Sequence, residues 1–303
     1  MTERGKEGMR ELLFMAGRKT RTYGRMIKFE HSIFALPLAL AALLLALRQS
    51  PVSLQKSLLI VVAMVGARSA AMGFNRIADA TIDRKNPRTS VRELPSGRMT
   101  VKEAAIFVGA SCLLFVLAAL FISWTCFWCS FAVLVILLGY SFTKRFTWLC
   151  HIVLGFTIGL APLGVWVAIT GRLSWRIGLL SLALSTYIAG FDILYACQDI
   201  EFDRQEDLHS LPARFGVGTA MRVSSLLHFI CFGALLSLYR VFSLSPVYFG
   251  FLIVIGVLLV IEHRLISPRD LSKIHIAFFH VNSIISVMLF AALLVEELMR
   301  HFT

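Results

Sequence analysis

Nine long apolar stretches set the strongest limit on how this chain folds. They cover approximately residues 33–47, 56–74, 104–122, 124–142, 148–170, 177–197, 219–239, 246–262 and 274–295. Most of them approach the ~20 residues that a helix needs to cross the hydrocarbon of a bilayer. The chain is 57% hydrophobic and only 16% charged, which excludes an ordinary soluble domain. The sequence therefore predicts an all-α integral membrane protein with about nine transmembrane helices, and a count of eight or ten would also fit.

Lysine and arginine are unevenly divided between the two sides that nine spans define. The side of the N-terminus carries 23 of the 30 basic residues, the opposite side carries six, and Arg68 lies within a span. The positive-inside rule then places the N-terminus and the more basic loops in the cytoplasm. We expect residues 1–28 to form a basic cytoplasmic segment. The net charge of +12 follows mostly from this topology, so it indicates no nucleic acid partner.

Two groups of acidic residues recur at four-residue intervals at the ends of apolar stretches. The first group is Asn75, Asp79 and Asp83, and the second is Asp199, Asp203 and Asp207, with Asp192 seven residues upstream. At about 100° per residue, the members of each group share one face of a continuous helix. Carboxylates near hydrocarbon are costly and usually functional, and oxygen ligands on one face suit Mg²⁺ bound together with phosphate. Four residues are the predicted metal ligands: Asp79, Asp83, Asp199 and Asp203.

The two acidic groups are offset by 124 residues, which corresponds to four spans, and they lie on the same side. This offset predicts two four-helix pseudo-repeats, at about residues 29–145 and 148–262, followed by a ninth helix. A four-helix repeat preserves sidedness, so both acidic groups would face one central cavity that opens to the cytoplasm. We expect a single membrane domain over residues 29–303.

Two charged residues lie deeper in their spans than the acidic groups. Arg68 precedes Asn75 by seven residues and Asp192 precedes Asp199 by seven, which places each about 10 Å inward on the same helix face. Arg68 would hold a substrate anion with both arms of its guanidinium, or else pair with a buried carboxylate such as Asp192. Asp192 would contact an acceptor substrate, because intramembrane acids are functional by default.

Several neighbouring polar residues have two interpretations each. Tyr195 and Gln198 would add hydrogen bonds to a ligand or simply pack in the protein. Lys144 and Arg145, the only charges between the fourth and fifth spans, would meet a diphosphate or merely mark the cytoplasmic side. The basic loop at 83–98 would cover phosphates as a lid or be an ordinary positive loop. The eight histidines show no ligand spacing, and we interpret most of them as structural or interfacial.

The acidic motifs resemble those of the UbiA superfamily of intramembrane prenyltransferases. The first motif reads NRIADATID from Asn75 to Asp83, and the second reads YACQDIEFD from Tyr195 to Asp203. Three further segments are similar to that family, namely 29–37, 94–98 and 142–145. Arg76 stands where the family usually has Asp, which removes one carboxylate. The chain is most similar to the 4-hydroxybenzoate polyprenyltransferase-like branch, which includes sequences assigned to an alternative menaquinone route.

This resemblance implies an enzyme of quinone biosynthesis. It would transfer a polyprenyl group from polyprenyl diphosphate to an aromatic hydroxy acid of the 4-hydroxybenzoate type, with Mg²⁺ as cofactor. Arg68 and Asp192 would be catalytic, Arg68 holding the aromatic carboxylate or the diphosphate and Asp192 orienting or deprotonating the phenol. The residues expected to bind substrate are Asn75, Arg68, Lys144, Arg145, Tyr195 and Gln198. The protein would lie in the bacterial inner membrane, with its active site facing the cytoplasm and the isoprenoid tail in the bilayer.

Three other functions stay open at this point. Prenylation of a dihydroxynaphthoate for menaquinone would use the same residues. A cation-coupled transporter would also contain repeats and intramembrane charges, although carriers usually place them near the bilayer midplane rather than at helix ends. A non-catalytic lipid-binding scaffold would leave the paired acidic groups unexplained.

Overall fold

The computed structural model describes residues 22–28, 32–267, 270–274 and 276–302. Within these ranges the regular secondary structure is helical, apart from one isolated bridge between Ser267 and Asp270. The predicted all-α fold class is therefore confirmed. Most of the predicted basic segment 1–28 falls outside the described residues, as do three residues of the similar segment 29–37.

Besides a helical segment at residues 22–26, the described chain contains eleven α-helices. They are α1 Ser32–Leu47, α2 Leu54–Ala78, α3 Ala80–Lys85, α4 Val101–Ile122, α5 Trp124–Gly139, α6 Cys150–Thr170, α7 Trp175–Ala196, α8 Ile200–Gln205, α9 Leu211–Val241, α10 Pro246–Leu265 and α11 Asn282–Phe302. Two 3₁₀ turns, Tyr140–Arg145 and Cys197–Asp199, follow α5 and α7, and a π-helical turn, Ile276–Val281, precedes α11.

Eight helical segments of the described chain are long and apolar enough to cross a membrane. They contain α2, α4, α5, α6, α7, α9, α10 and α11. Large apolar side chains such as Phe121, Trp128 and Phe229 are exposed on their outer faces, as expected of surfaces that contact lipid. The helix α1 is apolar but has only 16 residues, about 24 Å by helical rise. The count of nine spans stays a prediction, and it depends on α1.

Hydroxyl side chains define where most of these long helices begin. The side-chain oxygen accepts a hydrogen bond from a backbone amide of the first turn at Ser53, Thr100, Ser123, Ser174, Ser210 and Ser245. Thr100 also forms a reciprocal capping box with Glu103. These caps satisfy amide groups that the helix itself leaves without a partner, so each helix begins at a defined residue.

The helix α7 lies deepest in the bundle and packs against both α6 and α9. Gly155 and Gly159 of α6 touch Ser185 of α7 so closely that neither position has room for a Cβ atom. Two glycines spaced four residues apart are typical of helices that pack this closely in membranes. Elsewhere α2 packs against α4, and α1 contacts α6 and α11. The close approach of α6 to α7 brings the first turn of α6 next to the last turns of α7.

Both acidic motifs lie where a helix breaks, and the prediction of a continuous helix through each motif is wrong. Asp79 separates α2 from α3 with φ −94° and ψ 2°. Asp199 separates the turn after α7 from α8 with φ −107° and ψ 8°. This bridge region of φ/ψ space is sparsely populated and is frequent at active sites. Asp207 lies beyond α8 with φ 52°, so it does not continue the face of Asp199 and Asp203.

Candidate active site

The two acidic motifs line a single cavity of about 320 Å³. The ends of α2 and α7, the loop 86–92, the turn Tyr140–Arg145, the start of α6 and the helix α8 form its walls. Of the residues predicted from sequence, those that line it are Arg68, Asn75, Asp79, Asp83, Lys144, Asp192, Tyr195, Asp199 and Asp203. Residues 124 positions apart in the chain thus face the same space.

Asp79 lies in the wall that α2 and the turn Tyr140–Arg145 share. The residue is 3% exposed, and its Oδ2 accepts a hydrogen bond from Asn75 Nδ2 at 3.1 Å. Lys144 Nζ lies 3.2 Å from the same oxygen. Within the described chain, the buried Oδ1 of Asp79 accepts no hydrogen bond. A buried carboxylate oxygen that lacks a hydrogen bond is available to a further ligand.

Asp83 is bound by the basic loop that follows it. Arg92 Nη1 donates to Asp83 Oδ1 at 2.8 Å and to Oδ2 at 2.7 Å. Thr89 Oγ1 also donates to the backbone oxygen of Asp83 at 3.1 Å. The loop therefore folds back over the end of α3, as a lid over the cavity would.

Two side chains of the same loop donate hydrogen bonds to Asp199. Arg88 Nε donates to Asp199 Oδ1 at 3.0 Å, Arg88 Nη2 donates to Oδ2, and Asn86 Nδ2 donates to Oδ1 at 3.2 Å. Arg88 Nη1 also donates to Tyr195 Oη at 3.1 Å. Burial lowers the pKa of Arg88, but the hydrogen bond and the charge of Asp199 outweigh burial and raise this pKa above its ordinary value. A permanently charged loop residue thus links the two acidic motifs.

Asp203 and its neighbours complete the second wall. Asp203 lines the cavity beside Ser210, the cap of α9. Beyond the cavity, Lys85 Nζ lies 2.5 Å from Glu206 Oε2 and joins the end of α3 to the residue after α8.

His151 is the partner of Asp192, and the sequence did not predict this pair. His151 Nδ1 lies 2.6 Å from Asp192 Oδ2. The imidazole is buried, whereas the Asp192 side chain is 27% exposed and faces the cavity. Arg68 also lines the cavity and donates from Nη2 to the backbone oxygen of Lys28 at 3.3 Å. An ionisable side chain inside an apolar stretch was the available signal for His151, since the same signal had singled out Asp192.

Two predicted substrate-binding residues do not line the cavity in the described structure. Gln198 Nε2 donates to the backbone oxygen of Tyr195 at 3.1 Å, so it closes the local turn. Arg145 donates to the backbone oxygen of Ala78, and its Nη2 lies 3.8 Å from Asp79 Oδ1. Gln198 was placed on a ligand face by extending the helix through it, but α7 ends at Ala196.

The carboxylates fit a metal that binds together with its substrate. Among the described residues, no group of three or more His, Cys, Asp or Glu side chains is placed to hold a metal ion. The cavity nevertheless presents oxygen donors on both of its acidic sides, and Asp79 Oδ1 lacks a hydrogen bond. Mg²⁺ prefers oxygen ligands and commonly uses one or two carboxylates plus phosphate oxygens instead of a cage made by the protein alone.

A helical membrane bundle with acidic and basic side chains around one polar cavity defines a class of intramembrane protein that binds charged ligands. The family model that matches this chain is the UbiA prenyltransferase family, over residues 35–284. The chain therefore belongs to the UbiA prenyltransferase family and is a prenyltransferase of the membrane. The resemblance inferred from the two motifs is confirmed.

Curated relatives match over almost their whole length. The 4-hydroxybenzoate octaprenyltransferase of Vibrio campbellii is 27% identical over 287 residues, which cover 93% of this chain and 99% of the relative. The 4-hydroxybenzoate octaprenyltransferase of Serratia proteamaculans is 28% identical over 275 residues, with 90% and 94% covered.

Solved structures of UbiA homologues share the fold. The apo structure of a homologue from Aeropyrum pernix K1 superposes with a TM-score of 0.80 at 30% identity, covering 88% of this chain and 98% of that chain. A homologue from Archaeoglobus fulgidus bound to GPP and Mg²⁺ has a TM-score of 0.68 at 20% identity, with 90% and 99% covered.

Proposed function

We propose that this protein transfers a polyprenyl group from a polyprenyl diphosphate to an aromatic hydroxy acid of the 4-hydroxybenzoate type. The observation that carries the proposal is that acidic motifs from opposite halves of the chain line one cavity together with Lys144, Arg88 and Arg92. The names of the curated relatives support the acceptor class. The GPP and Mg²⁺ bound to the Archaeoglobus fulgidus homologue support the donor and the metal.

The acidic residues and their basic partners would bind the donor head group. Asp79, Asp83, Asp199 and Asp203 would hold Mg²⁺, which when bound neutralises charge on the diphosphate leaving group. Lys144, Arg92 and Arg88 each lie beside one of these carboxylates. Their positive charges would bind phosphate oxygens and stabilise the charge that develops as the carbon–oxygen bond of the donor breaks.

The inner part of the cavity would bind the acceptor and the reacting end of the prenyl group. Arg68 would hold the acceptor carboxylate, and Asp192 would accept the hydrogen bond of the phenol, raising electron density on the ring. The ring carbon beside the hydroxyl then forms a bond to the allylic carbon, diphosphate leaves, and the ring proton is lost to a base. Apolar side chains such as Leu154, Ile158 and Ile188 line this region and would keep water from the allylic cation.

His151 would act as a positioning residue for Asp192. It holds Asp192 Oδ2 at 2.6 Å, which fixes the carboxylate; within the described residues its other oxygen has no hydrogen bond and would meet the phenol. His151 also lines the cavity, but its side chain is only 7% exposed and its ring is hydrogen-bonded to Asp192, so it would act on the substrate mainly through that carboxylate.

The distribution of basic residues supports an active site at the cytoplasmic face of a bacterial inner membrane. The loops that border the cavity belong to the side that carries 23 of the 30 lysine and arginine residues. A dihydroxynaphthoate acceptor is the neighbouring possibility, since it presents the same carboxylate and hydroxyl groups.

The direct test is turnover by membranes that contain the protein. Membranes are supplied with a polyprenyl diphosphate, Mg²⁺ and either 4-hydroxybenzoate or a dihydroxynaphthoate, and the prenylated acid and released diphosphate are measured together. We expect equal amounts of both products with 4-hydroxybenzoate and none from membranes that lack the protein. Product formed only from the naphthoate would move the assignment to menaquinone synthesis. Ion or solute flux in proteoliposomes without diphosphate release would favour a transporter.

A further inference from the structure

The cavity wall contains a buried cation that the proposed reaction has not used. Arg76 lies in the last turn of α2, is 8% exposed and lines the cavity. Its Nε donates to the backbone oxygen of Met26 at 3.2 Å. Within the described ranges of the chain, its terminal nitrogens donate no hydrogen bond, and no carboxylate lies within ion-pair distance of it.

The nearest carboxylates already have cations of their own. Asp79 and Asp83 line the same cavity as Arg76. However, Asp79 is paired with Lys144 at 3.2 Å and Asp83 with Arg92 at 2.7 Å. Arg76 is therefore a surplus positive charge in this wall.

A surplus charge in a buried wall is unfavourable unless something compensates for it. Desolvation of a cation costs more than one hydrogen bond to a backbone carbonyl returns. The C-terminal end of α2, two residues beyond Arg76, favours a positive charge but offsets only part of this cost. A bound anion would supply the remaining compensation, since the side chain already lines the space that a ligand would enter.

We propose that Arg76 binds the diphosphate of the prenyl donor directly, through its two terminal nitrogens. This inference rests on the proposed function. A guanidinium presents a planar pair of donors that matches two phosphate oxygens. Asp79 and Asp83 follow Arg76 by three and seven residues, so Arg76 lies beside the proposed position of the head group. Arg68 lies about 12 Å deeper along α2 and is better placed for the acceptor carboxylate.

Direct binding by Arg76 has a consequence that separates it from binding through metal. Part of the donor affinity would persist when Mg²⁺ is removed, because a guanidinium needs no metal to hold phosphate. That part would be lost when Arg76 is replaced.

The experiment is calorimetric titration of the full-length protein in detergent with geranyl thiolodiphosphate, an unreactive donor analogue. Each variant is measured with excess Mg²⁺ and again with EDTA, and separately with 4-hydroxybenzoate. The variants are Arg76→Gln, Arg76→Lys and the control Arg222→Gln. Arg222 is exposed on α9, where it donates only to Gly218 and Thr219 within the described residues.

We expect Arg76→Gln to weaken binding of the analogue about tenfold or more in both conditions, as loss of a charge-assisted hydrogen bond does. Arg76→Lys should fall between Arg76→Gln and the wild type, because it retains the charge but not the paired donors. Arg222→Gln should bind as the wild type does. Affinity for 4-hydroxybenzoate should change less than about twofold in all variants, since Arg76 would not touch the acceptor.

Thermal unfolding without ligand separates this role from a structural one. Removing a buried charge that lacks an anion should leave the unfolding temperature of Arg76→Gln equal to that of the wild type or higher. A lower unfolding temperature with unchanged donor affinity would assign Arg76 to the fold and overturn the inference. If Arg76→Gln does not fold, Arg76→Lys with wild-type affinity overturns it equally.

The remaining outcomes distinguish this inference from the proposed function. If Arg76→Gln binds the analogue as tightly as the wild type does, the role of Arg76 is refuted and the proposed function is not affected. If Arg76→Gln loses affinity for 4-hydroxybenzoate only, the proposed role of Arg76 is refuted as well, because Arg76 would then bind the acceptor. If the wild-type protein binds the analogue neither with Mg²⁺ nor with EDTA, both proposals are refuted.

Discussion

Two groups of polar side chains lie inside the bundle on different faces of α7, and they differ in what surrounds them. One is the cavity group, represented by Asp192 and Tyr195. The other, which we call the dry cluster, consists of Tyr187, His228, Glu262, His263 and Asn282 from α7, α9, α10 and α11. Tyr187 and Asp192 point about 140° apart on the helix. The cavity group faces open space, whereas the dry cluster is absent from the cavity lining among the described residues.

The dry cluster satisfies most of its hydrogen bonds internally. Tyr187 Oη donates to Asn282 Oδ1 at 2.7 Å, and Asn282 Nδ2 donates to Glu262 Oε1 at 3.3 Å. His228 Nδ1 lies 2.9 Å from His263 Nε2 and 3.6 Å from Glu262 Oε2. Glu262 is 1% exposed. Four helices are joined by these contacts, which is how polar residues hold membrane helices together.

The comparison teaches that burial alone does not separate structural from functional polar residues in this bundle. Asp79 and Glu262 are almost equally buried, at 3% and 1% exposed. They differ in whether their neighbours enclose a volume that a ligand can fill. Replacing cavity residues should therefore reduce turnover and leave the fold intact, and replacing dry-cluster residues should do the reverse.

The largest expected effect is on turnover when the acidic motifs lose a carboxylate. Asp79→Ala and Asp199→Ala should each lower kcat/KM about 10³-fold, because each removes a proposed metal ligand. The unfolding temperature should change little. The measurement is prenylated acid formed per minute by purified protein. The matched control is Glu201→Ala, an exposed acid between Asp199 and Asp203, and full activity of either aspartate variant would refute the site.

Metal removal should have an effect of similar size on turnover. Treatment with EDTA should abolish product formation, and added Mg²⁺ should restore it, since the carboxylates alone do not neutralise a diphosphate. Product formation is measured before and after dialysis against the chelator. Undiminished turnover after exhaustive dialysis would exclude a metal from the reaction.

The next effect is on stability and concerns the dry cluster. Asn282→Ala should lower the free energy of unfolding by about 2–4 kcal/mol, because it removes the side-chain partner of Tyr187 Oη and of Glu262 Oε1 in a buried network and leaves Tyr187 only its bond to the backbone oxygen of residue 282. Tyr187→Phe should cost about 1 kcal/mol, since it removes one hydroxyl. Thermal unfolding in detergent shows which of the two variants is less stable. The kcat of the folded fraction should stay within about threefold of the wild type, and a large loss of kcat at unchanged stability would place the dry cluster in the active site.

The same contrast shows what the sequence could predict and what it could not. The spacing of Asp79, Asp83, Asp199 and Asp203 predicted that they face one cavity, and they do line one cavity; their side of the membrane stays a prediction. The helix breaks at Asp79 and Asp199 were not predictable, because the turn directly before each of them contains neither Pro nor Gly to signal a break.

Partners that come from distant segments were also beyond the sequence. His151 meets Asp192 only because Gly155 and Gly159 let α6 approach α7. Arg88 reaches Asp199 because its loop folds across the cavity. The basic composition of this loop favoured a lid equally with an ordinary positive loop, and composition does not specify which arginine meets which carboxylate.

A smaller effect is expected at His151, whose role is to orient Asp192. His151→Leu should lower kcat about 10–100-fold, as loss of an orienting partner does. The KM for the prenyl diphosphate should stay nearly unchanged, since His151 hydrogen-bonds to Asp192 and, within the described residues, forms no ion pair with a proposed metal ligand. His151→Gln retains a donor and should recover part of the lost kcat. Steady-state kinetics with each substrate varied in turn gives both constants, and a His151→Leu variant that loses only stability would make the histidine a packing residue.

The smallest effect is expected at the ion pair that joins the two motif ends outside the cavity. Lys85 Nζ lies 2.5 Å from Glu206 Oε2, and the Lys85 side chain is 62% exposed. Exposed pairs contribute about 0–1 kcal/mol, so Lys85→Ala should raise the KM for the donor by no more than about threefold. Glu206→Ala should match it, and the double variant should add nothing, because either change breaks the same contact. Steady-state KM values for the four proteins test this, and a tenfold change in any of them would mean that the pair closes the loop over the cavity.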